Sequence, residues 1–268
     1  MSRLEDLLEH MSIDGWCVID GVIPPGEVEA VRSSVVDSVR KHNIESERQN
    51  LLKVSGLINF NQSFAPYLAE PRLLGLCKAL LGEDVRVSFT TSTVLFPGND
   101  RGGWHADWPF NQQNAGHIPA PYPDAVAHLT TIWMLSAFKE DSGTYVVSGS
   151  HKENNNPTGG NGVPADQPHP TESRATGEPG AVLVMDSRIW HAIGANRSDE
   201  PRVAIINRFA PWWLNLDVLL PGSDERRRLV DERGANDNIT PPVPPDVFQS
   251  LPNNVKPLFS HWVRPQLS

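Results

Sequence analysis

Apolar positions in the first eighty residues recur at helical spacing. Leu4, Leu7, Leu8 and Met11 form one stripe and Val28, Val31, Val35 and Val39 another, so residues 1–50 are expected to be largely helical. Pro24-Pro25-Gly26-Glu27 marks the start of the second helix, because proline in a first turn forgoes only an N–H that has no partner there. Between the stripes, Trp16-Cys17-Val18-Ile19 reads as a short buried strand, and a third helix is expected over Pro71–Leu81, closed by Gly82. From Asp84 the period changes to two. Val85, Val87, Phe89, Thr91, Thr93 and Leu95 alternate with Arg86, Ser88, Thr90 and Ser92 along one extended segment. Further strands are expected within 125–136, 144–147, 181–185 and 202–210. Residues 152–180, rich in Gly, Asn and Pro, read as a long surface loop. Residues 97–124 are also loop-like but carry Trp104, Trp108, Phe110 and Tyr122, an aromatic density that points to a segment covering a site. DERRRLVDER at 224–233 reads as a solvated helix, and Trp212-Trp213 as an anchor for the C-terminal segment.

These elements predict a mainly β protein of 268 residues in one domain: a helical flank over 1–83, a core over 84–210 and a C-terminal extension over 211–268. The 24 prolines and 20 glycines suit many short strands joined by turns. Apolar runs fall far short of the ~20 residues of a membrane-spanning helix, and the N-terminal segment lacks the basic-then-apolar pattern of a secretory signal. A cytoplasmic protein without a membrane partner is expected. With 23 Lys+Arg against 32 Asp+Glu the net charge is −9, and no basic stripe offers a nucleic acid a footprint. Cys17 and Cys77 stand alone in apolar surroundings, which excludes a disulfide scaffold or a cysteine zinc site.

Gly102-Gly103-Trp104-His105-Ala106-Asp107 carries the most chemistry. On extended backbone residues i and i+2 point to the same side, which places the His105 imidazole and the Asp107 carboxylate to bind one metal ion. His191, after the apolar strand 181–185 and the turn-like Asp186-Ser187-Arg188, supplies a third ligand. Two imidazoles and one carboxylate leave coordination positions open for co-substrates, as in non-haem Fe(II) oxygenases. His-x-Asp alone is a frequent coincidence; Arg202 adds weight to it. Arg202 shares a strand face with Ala204 and Ile206, and a guanidinium on an apolar face is costly unless an anion meets it. That anion is either a protein Asp or Glu or a dicarboxylate co-substrate. Arg208 has the same parity, so periodicity does not separate the two arginines.

With these residues in place the sequence resembles the phytanoyl-CoA dioxygenase family of Fe(II)- and 2-oxoglutarate-dependent oxygenases. The resemblance is carried by Asp14-Gly15-Trp16-Cys17-Val18-Ile19, the His105-x-Asp107 pair, Trp133, the run Asp141-Ser142-Gly143-Thr144-Tyr145-Val146-Val147-Ser148-Gly149-Ser150-His151, His191, Asn196-Arg197-Ser198 and Arg202. It implies a double-stranded β-helix, a jelly roll of cupin type, with flanking N-terminal helices. It also implies that His105, Asp107 and His191 hold Fe(II), that Arg202 clamps the distal carboxylate of 2-oxoglutarate, and that Trp133 packs near that co-substrate. Family members often have a serine two residues after the distal histidine, but here Ile193 stands there and another hydroxyl must serve. Thr91, Thr93, Thr131 and Tyr145 are the inward-facing candidates by strand parity, Thr93 and Thr91 foremost.

The implied activity consumes O2 and oxidises a C–H bond of a small metabolite or natural-product intermediate, with succinate and CO2 as co-products. Hydroxylation is the default outcome, and desaturation, epoxidation or cyclisation are its variants. Asp107 at the carboxylate position argues against a halogenase, and the absence of a basic groove argues against an acyl-CoA substrate. Two rival classes remain: a cupin-type metal-dependent hydrolase or isomerase, and a non-catalytic relative that binds 2-oxoglutarate. Among the other residues, His151 reads as a turn residue, His128 as a satisfied core histidine, and Arg188 as the ion-pair partner of Asp186. Trp104, Trp108 and Phe110 serve either packing or the exclusion of water from the site.

Overall fold

The computed structural model describes residues 3–43, 50–157 and 164–263. Its centre is the pairing of the two longest strands, β3 (Arg86–Leu95) and β9 (Arg202–Ala210), which run antiparallel from Arg86 opposite Ala210 to Leu95 opposite Arg202. Around them assemble β1 (Trp16–Ile19), β2 (Leu51–Ser55), β4 (Leu129–Met134) and β7 (Val182–Asp186) in the order β1-β7-β4-β9-β3-β2. A smaller sheet, β6-β5-β8, is built from β5 (Thr144–Val146), β6 (Ser173–Ala175) and β8 (His191–Ala192). Every strand pair in both sheets is antiparallel. The expected jelly-roll architecture of two antiparallel sheets is the observed one.

Strand parity decides what each sheet face meets. Val203, Ile205 and Phe209 of β9, Leu129 and Trp133 of β4, and Val182 and Val184 of β7 join one large apolar cluster with the helices. Those helices are α1 (Leu4–Ile13), α2 (Pro25–His42) and α3 (Pro71–Leu81), and their buried faces include the predicted Leu7 and Met11 and all four valines of the second stripe. The alternate residues, Ile132, Met134, Leu183, Met185, Ala204 and Ile206, turn inward between the sheets. Pro25 opens α2, and the Glu70 carboxylate accepts from the Arg72 and Leu73 amides, both at 2.9 Å, to cap α3.

The expected boundary at residue 84 needs correction, because the helical flank also supplies β1 and β2, the two edge strands of the larger sheet. In β2 only Val54 is buried, so its hydrophobic pattern is too weak to read as a strand. The parity expected for Val85 and Val87 also fails. The register shifts between Val87 and Phe89, so both valines pack under the helices while Phe89 faces the interior. The 152–180 segment is more ordered than a surface loop: it contributes β6, and Glu172 holds Arg101 through two hydrogen bonds. Residues 158–163 of that segment lie outside the described residues.

The C-terminal extension is part of the core. Trp262, Phe259 and Val255 join the main cluster, the Trp262 indole donates to the Val87 carbonyl (2.6 Å), and Thr240 donates to Ser88 O (3.0 Å). The charged 224–233 segment forms only a short helix, α4 (Asp224–Leu229). Arg226 there is buried, not solvated, because its guanidinium donates to the Val218 and Asn238 carbonyls. α5 (Pro245–Ser250) follows within the proline-rich stretch. Trp212 and Trp213 do not anchor this segment; they are 64% and 55% exposed. No helix among the described residues is long and apolar enough to cross a membrane.

Two expected outcomes follow from this packing. Gly180 has φ +95°, and a Cβ there would lie 2.3 Å from the backbone carbonyl oxygen of Ile23, a residue whose own amide donates to Gly180 O (3.0 Å) and holds the two segments together. Gly180→Ala should therefore lower the unfolding free energy by roughly 2 kcal/mol or more in urea titrations. His128 is fully buried, with one ring nitrogen 2.7 Å from the Ser88 hydroxyl and the other 2.7 Å from that of Ser187. Burial, with the Arg208 charge adding to it, lowers its pKa to about 3. The unfolded imidazole takes up a proton near pH 6.5 while the folded one stays neutral, so stability falls as pH drops from about 6.5 towards 3. In metal-free protein, His128→Gln should flatten the slope of unfolding free energy against pH by about one proton in this window.

Candidate metal centre

Backbone pairing brings the three candidate metal ligands together. The amide of Gly102 donates to Ile193 O (2.8 Å), His105 and His191 exchange two backbone bonds of 3.0 Å, and the amide of Asp107 donates to Ser187 O (2.8 Å). This antiparallel zip lays 102–107 along β8 and sets the two imidazoles side by side, with ring centroids 4.2 Å apart. Asp107, two residues beyond His105, turns to the same side, and its Oδ2 lies 3.6 Å from His191 Nε2. One ligand atom from each of His105, Asp107 and His191 falls within 4.8 Å of the others.

Both histidines are oriented alike. His105 Nδ1 lies 3.0 Å from Gly103 O and His191 Nδ1 lies 3.0 Å from Ile189 O. A carbonyl only accepts, so each Nδ1 carries the proton and each Nε2 keeps its lone pair for a metal. Burial, reinforced by the His191 charge, lowers the His105 pKa to about 4, which keeps that ring neutral as ligation requires. Burial alone would raise the Asp107 pKa. The Arg208 guanidinium, the two imidazoles and the Thr130 hydroxyl outweigh it and hold the carboxyl well below the usual carboxylate range. Arg208 Nη2 donates to Oδ1 at 2.5 Å and Thr130 Oγ1 to Oδ2 at 2.7 Å.

The three ligands open onto a cavity of about 520 Å³ between the sheets. Its floor is a grid set by strand register. Leu51, Leu95 and Arg202 form one row, Lys53, Thr93 and Ala204 the next, then Ser55, Thr91, Ile206 and Ile132, and finally Phe89, Arg208 and Thr130. The two arginines of like parity thus separate. Arg208 is paired with Asp107, whereas Arg202 donates from Nη1 to the Ser142 carbonyl (2.6 Å) and leaves its Nε buried without a partner. Burial, with Arg174 nearby, lowers the Arg202 pKa to about 10, so it stays cationic at neutral pH.

The Asp141–Thr144 run has a structural role here. Ser142 carries Arg202 on its carbonyl, and Thr144 lines the cavity. The Asn196-Arg197-Ser198 run ties the turn before β9 to the end of β3. The buried Asn196 amide donates to Leu95 O and Glu200 O, while its oxygen accepts from the Ser198 amide and hydroxyl.

Several expected neighbours lie elsewhere. Trp133 does not face the cavity. It sits on the other parity of β4 from Thr130 and Ile132, fully buried in the helix-side cluster, with its indole donating to Thr131 Oγ1 (3.0 Å). Thr131 turns the same way and donates to Asn207 O. Tyr145 leaves the cavity for the far face of the small sheet, between the Arg101 and Arg174 guanidiniums at 4.2 and 3.9 Å from its ring. Thr91 and Thr93 do line the cavity, although the Thr91 hydroxyl donates to Val54 O.

Thr144 and Lys53 are wall residues that periodicity did not reveal, and Ile193 takes its place in the wall as a hydrocarbon. Trp104 packs with Tyr145 and Trp190, Trp108 edges onto His128 and Phe110 onto Tyr122, so these aromatics pack the loop. His151 lies outside the metal-ligating cluster, and Arg188 pairs with Asp186 at 2.8 Å as expected.

Comparisons with known proteins give the chain relatives in sequence and in fold. The chain is 28% identical over 217 residues to dioxygenase af480 of Aspergillus fumigatus, an alignment that covers 76% of this chain but 65% of the fungal protein. HygX from Streptomyces hygroscopicus, solved with nickel, 2-oxoglutarate and hygromycin B bound, shares the fold with a TM-score of 0.67 at 18% identity, over 90% of this chain and 97% of that one. The epimerase SnoN, in complex with Fe3+, alpha ketoglutarate and nogalamycin RO, superposes with a TM-score of 0.61 at 21% identity over 78% of this chain and 83% of its own. The family model for phytanoyl-CoA dioxygenase matches residues 11–204, a span that begins in α1, takes in β1 to β8 and ends two residues past Arg202, within β9. On the strength of that match, the chain belongs to the phytanoyl-CoA dioxygenase (PhyH) family.

Proposed function

We propose that the protein is a non-haem Fe(II)- and 2-oxoglutarate-dependent dioxygenase that hydroxylates a C–H bond of a small molecule, releasing succinate and CO2. The observation that carries this reading is the conjunction, in one cavity, of the His105–Asp107–His191 cluster with the buried guanidinium of Arg202. The donor set fits the group. Two imidazoles with their Nδ1 protons engaged and one carboxylate held ionised suit a divalent ion with open positions, and the unpartnered Arg202 Nε suits a carboxylate. With Fe(II) and 2-oxoglutarate bound, the centre supplies dioxygen activation coupled to oxidative decarboxylation of the keto acid.

The chain's own residues prepare that chemistry. Arg208 and Thr130 fix both Asp107 oxygens, so the carboxylate cannot rotate away from the imidazoles. Ser142 O holds Arg202 in the orientation that presents its remaining N–H groups to the cavity, where Thr93 and Thr144 provide hydroxyls in place of the serine replaced by Ile193. Leu95, Ile193, Ala204 and Ile206 keep the surrounding wall apolar, which strengthens the charge contact by excluding water. The helical flank, the two sheets and the C-terminal extension act as one catalytic unit, and Asn238 of the extension reaches the cavity wall. A cytoplasmic location fits the two free, buried cysteines.

Anaerobic addition of Fe(II) and 2-oxoglutarate should produce a weak visible charge-transfer band, and admission of air should convert 2-oxoglutarate to succinate. His105→Ala and Asp107→Ala should each abolish the band and lower succinate formation by roughly 100-fold or more. Wild-type activity in both variants defeats the assignment. Arg202→Ala should retain iron and raise the 2-oxoglutarate concentration for half-saturation by about 30-fold or more. Arg202 also separates this reading from a metal-dependent hydrolase or isomerase, which needs no carboxylate clamp, and succinate release separates it from a non-catalytic binder.

A further inference from the structure

We propose that Lys53, with the unpaired edge of the Arg208 guanidinium, anchors an anionic group (carboxylate or phosphate) on the apolar-bodied small molecule that this enzyme oxidises. The proposal rests on the Fe(II)/2-oxoglutarate reading and deepens it by naming the class of the second substrate. Lys53 is the middle residue of edge strand β2, between Leu51 and Ser55 on the cavity face and opposite Thr93 of β3. Its residue is exposed at the rim, yet desolvation, and then the Arg208 charge, lower the pKa of its ammonium from the ordinary lysine value. Lys53 lines the same cavity as His105, Asp107 and His191.

Among the described lining residues the charges do not balance. Lys53, Arg202 and Arg208 are cationic, and Asp107 is the one acidic residue among the described lining residues. Asp107 is already committed, with Oδ1 on Arg208 and Oδ2 on Thr130. Lys53 makes no ion pair among the described residues, and Arg208 Nε is buried without a partner although Nη2 is satisfied. A ferrous ion and the 2-oxoglutarate dianion cancel each other, which leaves the occupied cavity with an excess of about two positive charges. Cations held in a low-dielectric cleft without a counter-charge are costly, and a ligand carrying negative charge removes that cost.

The co-substrate does not serve both ends of this field. Arg202 and Arg208 stand six residues apart on β9, roughly 20 Å of extended chain. The 2-oxoglutarate clamp is assigned to Arg202 on β9, whereas Lys53 rises from β2, two strands away in the neighbouring Thr93–Ala204 row, and Arg208 stands towards the far end of β9. Around these cations the wall includes hydrocarbon from Leu51, Phe89, Leu95, Ile132 and Ile206, which suits an apolar body. Lysine presents a point charge on a flexible stem, so it selects for charge and not for the planar geometry of a carboxylate.

The test uses the anaerobic Fe(II)·2-oxoglutarate enzyme at saturating co-substrate and fixed ionic strength, titrated with phenylacetate, benzyl phosphate and the neutral phenylacetamide. Binding is read from perturbation of the charge-transfer band. At least one anion should bind about tenfold or more tightly than the amide, and whichever anion leads identifies the group as carboxylate or phosphate. Lys53→Gln should bring the anions to within about twofold of the amide, and Lys53→Glu should favour phenethylamine over phenylacetate. In both variants the loss should fall on these probes and not on 2-oxoglutarate. Anions that bind wild-type enzyme no better than the amide overturn the proposal. So does an anion preference that survives Lys53→Gln, or a loss of 2-oxoglutarate affinity in that variant as large as the loss of anion affinity. A wild-type enzyme that forms no charge-transfer band defeats the functional reading itself and this proposal with it; a normal band without anion preference overturns the Lys53 assignment alone.

Discussion

The backbone zip between residues 102–107 and the strand carrying His191 is the constraint on which the site depends. Side chains on extended chain alternate, so a slip of one residue in this pairing would turn His105 and Asp107 to the opposite face together. The zip is short: one reciprocal bridge at His105–His191, flanked by single bonds at Gly102–Ile193 and Asp107–Ser187. What secures it is the packing on either side. Trp104 donates its indole to Gln167 O and packs on Tyr145 and Trp190, while Trp108 stands edge-on to His128. The aromatic density of this segment therefore serves registry: the rings fix the strand that carries the ligands and do not wall the cavity.

Where a single face of an element meets a single environment, the sequence was legible. The valine stripe of α2, the bounds of β1, α3 and β9, and the convergence of the His-x-Asp pair on His191 all follow from period and local chemistry, and all appear as expected. Legibility ends where a neighbour decides. The shift between Val87 and Phe89 reverses the parity of a strand whose letters alternate without interruption. β2 is not legible because an edge strand lining a cavity buries only Val54, which leaves no alternating apolar pattern to mark Lys53 as a wall residue. Trp133 illustrates the opposite error: its association with the co-substrate came from resemblance, while its parity with Leu129 sends it under the helices.

Arg202 and Arg208 show how tertiary contacts divide labour between residues that one strand cannot tell apart. Both lie on the inner face of β9. Arg208 sits in register with Thr130, and those two residues together saturate Asp107, so its charge is spent on keeping the carboxylate ionised in a dry site. Arg202 sits in register with Leu95, where the floor is apolar, and among the described residues its guanidinium donates to the Ser142 carbonyl alone. A neutral acceptor does not neutralise a guanidinium, so the pairing orients Arg202 without satisfying it.

The orientation depends on a close approach of two chain segments. An added Cβ at Gly194 would stand 1.9 Å from the Gly143 carbonyl oxygen, so only glycine lets the turn after β8 close over the segment that bears Ser142. That same carbonyl accepts from Arg174, the cation whose charge bears on Arg202. A side chain at position 194 would push residues 142–144 away from β8 and carry with them both the support of Arg202 and the Thr144 hydroxyl. His191 and Arg202 are thus coupled by backbone contact across these two glycines. For this reason the Ser-Gly-Thr run and the His191 segment act as a single structural unit, although forty-odd residues of chain separate them.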